Sequence, residues 1–368
     1  MTTQDTITTS DTSLTPTAEE FGERLFAAVL GTQLVQAAYL GDRLGYYRAL
    51  ATGPHTSAEL AARTATAERY AREWLEHQAV AGVLSVDNPD AAAGERRFRI
   101  PAGAAEVLTD VLSPNHVLPL ARMAAGFGKH LDALAAAYRS GGGVAWAQFG
   151  VDARESQAAA NRPLFLGAVP REYLPSIPAV RALLDRGGRV ADVGCGYGWS
   201  AIGIALAHPG VTVDGFDVDG PSVEAARQNA VEAGVADRVR FHDADAATAA
   251  GDEGRYDLVT AFECVHDMPH PAGVLAAMRR MAAPGGVVLV MDERVAETFT
   301  APGDEVEQMM YGWSITCCLP DGLAHAGSVG TGTVMRPDTL RTYAREAGFA
   351  DVEVLPIDDV FFRFYRLV

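Results

Sequence analysis

The sequence predicts an α/β fold, a largely parallel sheet covered by helices on both faces, preceded by a smaller and mostly helical domain. Three observations carry that expectation. From residue 189 onward, short β-rich runs alternate with alanine-rich helical stretches, the pattern of strands buried on both sides. Residues 18–100 run instead as helices followed by a polar hairpin. The 368 residues, 48% hydrophobic and 21% charged, have the balance of a globular chain long enough for two domains.

Composition also excludes several classes. No apolar run approaches the roughly 20 residues that cross a bilayer, and the polar start has neither a basic region nor an apolar core, so the expected location is cytoplasmic, without membrane contact. Four cysteines, with Cys317 and Cys318 adjacent and no CxxC, build neither a disulfide framework nor a zinc site. A net charge of -17 repels phosphate backbones and anionic lipid. Small neutral or cationic partners are expected, and no nucleic acid.

Residues 1–16, rich in Thr, Ser and Asp, have little to bury and read as a flexible tail. Residues 17–110 form the helical first domain. Phe21, Leu25, Phe26, Val29, Leu30, Leu34, Ala38 and Leu44 recur at helical spacing, with Gly31, Gly41 and Gly45 breaking the run into short helices. Their apolar surface calls for a second copy of the chain. Residues 53–100 then follow the order helix, turn, helix, hairpin of a winged helix. DNA binding is disfavoured, because residues 53–110 hold six basic against nine acidic side chains. Residues 111–184 are a helical connector punctuated by Gly141, Gly142, Gly143 and by Pro163, Pro170, Pro175 and Pro178; its Trp146 and Phe149 are candidates to roof a pocket.

The chemistry is expected in residues 185–368. A strand over 189–193 runs into Gly194-Cys195-Gly196-Tyr197-Gly198 and then a helix over 199–207. Glycines there let a ligand approach the backbone and the helix N-terminus. The third glycine of a dinucleotide fingerprint would fall at Trp199, and no Walker lysine follows. A second strand ends at Asp217, placed to accept bonds from both hydroxyls of a ribose, and a third precedes Asp245, placed for an adenine amino group. Each acid alone could be a helix cap, and each glycine a packing device; three in order, at successive strand ends, point to a nucleoside.

The ordered set Val190-Ala191-Asp192-Val193-Gly194-Cys195-Gly196-Tyr197-Gly198, Asp217, Asp245, Tyr256-Asp257-Leu258-Val259 and Ala283-Pro284-Gly285-Gly286 resembles class I S-adenosylmethionine-dependent methyltransferases. With the winged-helix module, it resembles the two-domain small-molecule O-methyltransferases of plants and actinobacteria. The resemblance implies a Rossmann-like seven-stranded sheet, a homodimer, a role in secondary metabolism, and S-adenosylmethionine as cofactor with S-adenosylhomocysteine as product. Its cofactor-binding positions fall on Asp192, Gly194, Gly196, Asp217, Asp245, Ala246 and Phe262.

After the fourth strand comes Glu263-Cys264-Val265-His266-Asp267-Met268. His266 titrates near neutrality and could take a proton from a hydroxyl as its oxygen attacks a sulfonium methyl. His266-Asp267 resembles the HD motif of those O-methyltransferases, whose histidine is the general base, and the resemblance assigns the supporting acid to Asp292 or Glu293. Met268 departs from the aromatic residue found there in the plant enzymes. Alternatives are a packed or capping role for the pair, a carbon methyltransferase with a metal on His266, Asp267 and His325, a peptide carboxylate methyltransferase, and a ligand-sensing regulator. Residues 298–337 are an insertion whose Met310, Tyr311 and Trp313 suit either an apolar acceptor pocket under a glycine-hinged lid or a dimer contact.

Overall fold

The computed structural model describes residues 16–248 and 253–368. The expected flexible tail lies almost wholly outside the described residues. The first element is a single helix, Ala18–Arg43, in place of the short helices expected from Gly31 and Gly41. Thr17 starts it with a capping box: its hydroxyl accepts from the Glu20 N–H, and the Glu20 carboxylate accepts from the Thr17 N–H at 2.7 Å. A mid-helix glycine costs only about 1 kcal/mol, which the capping and the length of the element outweigh. Gly41 has a positive reason to be glycine, since a Cβ there would stand 2.5 Å from the Trp74 ring.

Helices Ser57–Thr64 and Glu68–Val80 and the short hairpin of β1 (Ser85–Val86) and β2 (Phe98–Arg99) complete the first domain. Each wing arginine meets an acid of the same domain: Arg96 with Glu76 at 2.8 Å, Arg97 with Glu59 at 3.1 Å and Arg99 with Asp87 at 2.7 Å. The first two hold the wing to its own helices, and the third closes the hairpin on itself. The connector joins this domain to the rest through Asp152 of helix Trp146–Leu166, which accepts from Tyr39 Oη at 2.9 Å, Lys129 Nζ at 2.5 Å and Arg122 Nε at 3.1 Å.

Seven strands form the main sheet: β3 (Arg189–Val193), β4 (Thr212–Asp217), β5 (Val239–Asp243), β6 (Tyr256–Phe262), β7 (Ala282–Glu293), β8 (Val352–Val354) and β9 (Phe362–Leu367), in the order β5-β4-β3-β6-β7-β9-β8. The first five are parallel; β9 runs antiparallel between β7 and β8. Alternate residues feed two core layers. Val190 and Leu258 enter one, Ala191 and Val259 the other, as strands buried on both faces require. Strand order reverses between β3 and β6, so a crevice opens at their carboxyl ends. Most ends agree with the sequence reading within a residue or two; β7 is longer than its apolar run, extending back through the Ala283-Pro284-Gly285-Gly286 turn.

Candidate functional site

The glycine turn leaves β3 with three left-handed residues, Gly194 (φ +71°), Gly196 (φ +49°) and Gly198 (φ +78°), a path that side chains resist. A Cβ on Gly194 would come within 2.6 Å of Cys264 Sγ, whereas one on Gly196 would meet nothing within 4 Å. The outer face of the turn is therefore open. Beneath it Asp192, 1% exposed, accepts from Ser200 Oγ at 2.5 Å and Thr260 Oγ1 at 2.8 Å. Burial pushes its carboxyl up to about 6 against those bonds. Phe262 is likewise internal, its ring 5.8 Å from Phe165. Both lie behind the edge and support the turn from within.

Asp217 ends β4 on the edge itself. The Gly196 N–H donates to one of its oxygens at 2.8 Å and the Asp219 N–H to the other at 2.9 Å, which locks the carboxylate beside the turn with lone pairs to spare. Asp219 is held in turn by two bonds from Arg154, at 2.6 and 2.7 Å. Asp245 is exposed and accepts from the Ala247 N–H at 2.8 Å, while Ala246 is buried next to it.

His266 sits just past β6, 2% exposed, in a nest of carboxylates. Its Nδ1 is 2.9 Å from Asp292 Oδ1 and 3.0 Å from Glu293 Oε2, both at the end of β7; its Nε2 is 3.3 Å from Asp267 Oδ1. Burial disfavours the charged ring, but Asp267, Glu293 and Asp292 prevail and hold its pKa well above the ordinary histidine value. Burial pushes Glu293 up to about 8, against the opposing field of His266, and raises Asp267 as well. Such a site accepts a proton readily and stabilises the resulting imidazolium. Among the described residues, the same groups could hold a metal: His266 with Asp292 and Glu293, or with Asp267 and Cys318. His325 stays away from them, half-exposed and 3.9 Å from Asp321.

Of the expected pocket residues, three converge. Phe149 and Trp313 both pack edge-on against Phe127, at 5.3 and 5.8 Å, and Trp146 joins the same cluster with Cys317. Met310 is buried outside that cluster, and Tyr311 is exposed, with Arg336 3.4 Å from its hydroxyl. The insertion folds onto its own connector: the Val144 N–H donates to the Pro320 carbonyl at 2.9 Å and Tyr138 Oη to the Ile315 carbonyl at 3.0 Å. It brings Cys318 Sγ to within 4.8 Å of the ligand atoms of Asp267 and His266.

Sequence reasoning missed Arg154, Cys318 and Glu263. Glu263 is one of two described non-glycine residues in the left-handed region (φ +53°), and it receives hydrogen bonds from Asn161 at 3.0 Å and Gln157 at 3.3 Å. Only its place at the end of a strand could have drawn attention to it.

A doubly covered sheet with a glycine turn and acids at its strand ends defines a nucleoside-binding α/β enzyme of the methyltransferase class. Residues 165–354 match the methyltransferase domain family, and the chain belongs to it; residues 34–110 match an Rv2258c-like winged HTH domain. The chain is 38% identical over 109 residues to the 27-O-demethylrifamycin SV methyltransferase of Amycolatopsis mediterranei, covering 30% of this chain and 40% of that one. It is 32% identical over 170 residues to the ubiquinone biosynthesis O-methyltransferase of Aromatoleum aromaticum, covering 46% and 67%. The structure of mitomycin 7-O-methyltransferase superposes with a TM-score of 0.70 at 21% identity, over 94% of this chain and 97% of that one.

Proposed function

We propose that this protein transfers a methyl group from S-adenosylmethionine to a hydroxyl of a small aromatic acceptor, with His266 as general base. The observation that carries the reading is the position of His266 on the same sheet edge as the glycine turn and Asp217. S-adenosylmethionine supplies an activated methyl on a sulfonium. The chain positions and deprotonates. Asp217, fixed by two backbone N–H groups, keeps acceptor sites for the ribose diol; Gly196 leaves room for the chain beyond it, Gly194 lets Cys264 pack beneath the turn, and Asp245 faces the adenine end.

Asp292 orients the ring through Nδ1, which leaves Nε2, beside Asp267 Oδ1 at 3.3 Å, as the nitrogen that takes the proton. As the oxygen attacks, its proton passes to Nε2, and Asp267, Asp292 and Glu293 stabilise the imidazolium. Phe127, Phe149, Trp146 and Trp313 supply the apolar wall that a ring-bearing acceptor needs. The relatives are, by name, a 27-O-demethylrifamycin SV methyltransferase and a ubiquinone biosynthesis O-methyltransferase; both support a hydroxyl acceptor, and the first supports a place in secondary metabolism. A homodimer through helix Ala18–Arg43 fits its exposed Phe21, Leu25, Phe26, Val29 and Leu30.

The test is transfer of labelled methyl to a panel of hydroxylated aromatics, by the native protein and by His266→Ala. Transfer by the native protein, with a loss of roughly a hundredfold or more in the variant, is expected. Wild-type turnover by the variant removes the base, and failure to take up S-adenosylmethionine in equilibrium dialysis removes the whole reading.

A further inference from the structure

Glu263 is built at a cost. Its backbone is left-handed (φ +53°), a conformation unfavourable for a side chain-bearing residue and met mainly where surrounding structure enforces it. Its Oε2 is fixed by two amides from helix Trp146–Leu166, Asn161 and Gln157. Its Oε1 is sealed from solvent and has no hydrogen-bond partner among the described residues. A buried carboxylate oxygen left so is an unmet demand for a donor.

Position narrows the donor. β4, β3 and β6 are consecutive in the sheet, so Asp217 and Glu263 stand two strand spacings apart, about 10 Å, on either side of the glycine turn. The next residue, Cys264, packs against Gly194 on the turn, and Glu263 reaches the opposite way, to the helix that roofs the crevice. A nucleoside anchored by its ribose at Asp217 must run its amino acid end across β3 toward β6. That end carries one ammonium and one carboxylate. The carboxylate has a counterpart in Arg162, one residue beyond Asn161; its guanidinium lies 4.2 Å over the ring of Trp199, which opens the helix after the turn, and its Nε is sealed without a hydrogen-bond partner among the described residues.

We propose that Glu263 is a recognition residue for the α-ammonium group of the methyl donor, the amides of Asn161 and Gln157 presenting its free oxygen to that cation. The inference rests on the S-adenosylmethionine reading above. Without such a cation, burial and the neighbouring Glu293 push the Glu263 carboxyl up to about 8. An ammonium against Oε1 both supplies the missing donor and keeps the group ionised.

The experiment compares three ligands by calorimetry on the full-length protein and on Glu263→Gln: S-adenosylhomocysteine, its deaminated α-keto analogue, and 5′-methylthioadenosine, which lacks the amino acid end. The native protein should prefer S-adenosylhomocysteine to the keto analogue by tenfold or more, and Glu263→Gln should erase that preference. Binding of 5′-methylthioadenosine should be the same in both, which also certifies that the variant is folded. Retention of the full preference in Glu263→Gln overturns the proposal, as does an equal loss for all three ligands, which would make the residue structural. A native protein that binds none of the three instead fails the underlying cofactor reading.

Discussion

The imidazole Nδ1 of His266 lies 2.9 Å from Asp292 Oδ1, across the carboxyl ends of the neighbouring parallel strands β6 and β7. Asp292 is fully buried, and its backbone neighbour Glu293 presents a second carboxylate to the same nitrogen at 3.0 Å. The ring is thus oriented from behind, with its Nε2 3.3 Å from Asp267 Oδ1. Against burial, Asp267, Glu293 and Asp292 together make the ring a stronger base than a free histidine.

That arrangement predicts a pH dependence. The raised pKa of His266 means the ring is protonated, and unable to act as base, below a limit that lies above its ordinary value of 6.5. Turnover should therefore rise with pH across that limit. Asp292→Asn removes one of the stabilising carboxylates and should move the acidic limb of the kcat profile to lower pH while lowering kcat at its plateau roughly tenfold or more. An unchanged limb in the variant would show that the pair does not set the basicity of His266.

Asp217 makes a separate prediction about binding. With both oxygens tethered to backbone N–H groups, it is a rigid acceptor for the ribose. Asp217→Ala should weaken S-adenosylhomocysteine by about 1.5 kcal/mol or more, the scale of a lost charged hydrogen-bond partner. Calorimetry reads this directly, and unaltered affinity would withdraw the ribose assignment.

The strand ends and the glycine turn were legible because their signals are local: an apolar run, then Gly or Asp, within a few residues of chain. Glu263 was not, since its hydrogen-bond partners stand 102 and 106 residues earlier and a glutamate in left-handed backbone leaves no mark in composition. Cys318 escaped for the same reason. Its contact with Asp267 exists only because the insertion folds back onto Val144 and Tyr138. Helix Ala18–Arg43 misled in the opposite sense: glycine spacing predicted breaks, and the close approach of Trp74 and Tyr47 to Gly41 explains one of those glycines as a packing site.

Asp152 ties the first domain to the helix that roofs the crevice. Burial alone would raise its carboxyl, but bonds from Lys129, Tyr39 and Arg122 bring it down to about 2, from 3.8. A depressed carboxylate contributes stability above its unfolded value, and that contribution fades as pH falls toward the folded one. Asp152→Ala should cost about 2–3 kcal/mol near neutrality by removing the carboxylate shared by Lys129, Tyr39 and Arg122, although Arg122 keeps Glu155, and the gap from the native protein should narrow between pH 4 and pH 2. Urea denaturation at several pH values measures both; a gap independent of pH would mean that the ion cluster is not its source.

The last prediction concerns the outer face of helix Ala18–Arg43. Phe21, Leu25 and Phe26 are each more than half exposed, with Val29 and Leu30 close behind at 46% and 50%. These residues fall at spacings of three to five, one side of the helix over its first three turns. A contiguous apolar stripe of this kind is costly in water and is satisfied most simply by the same stripe on a second copy across a two-fold axis. Phe26→Asp places a charge in that stripe without touching the catalytic cluster. Sedimentation velocity should find the native protein dimeric and the variant monomeric or much weaker in association. A native monomer at micromolar concentration, or a dimer indifferent to the charge, would assign the face to some other partner.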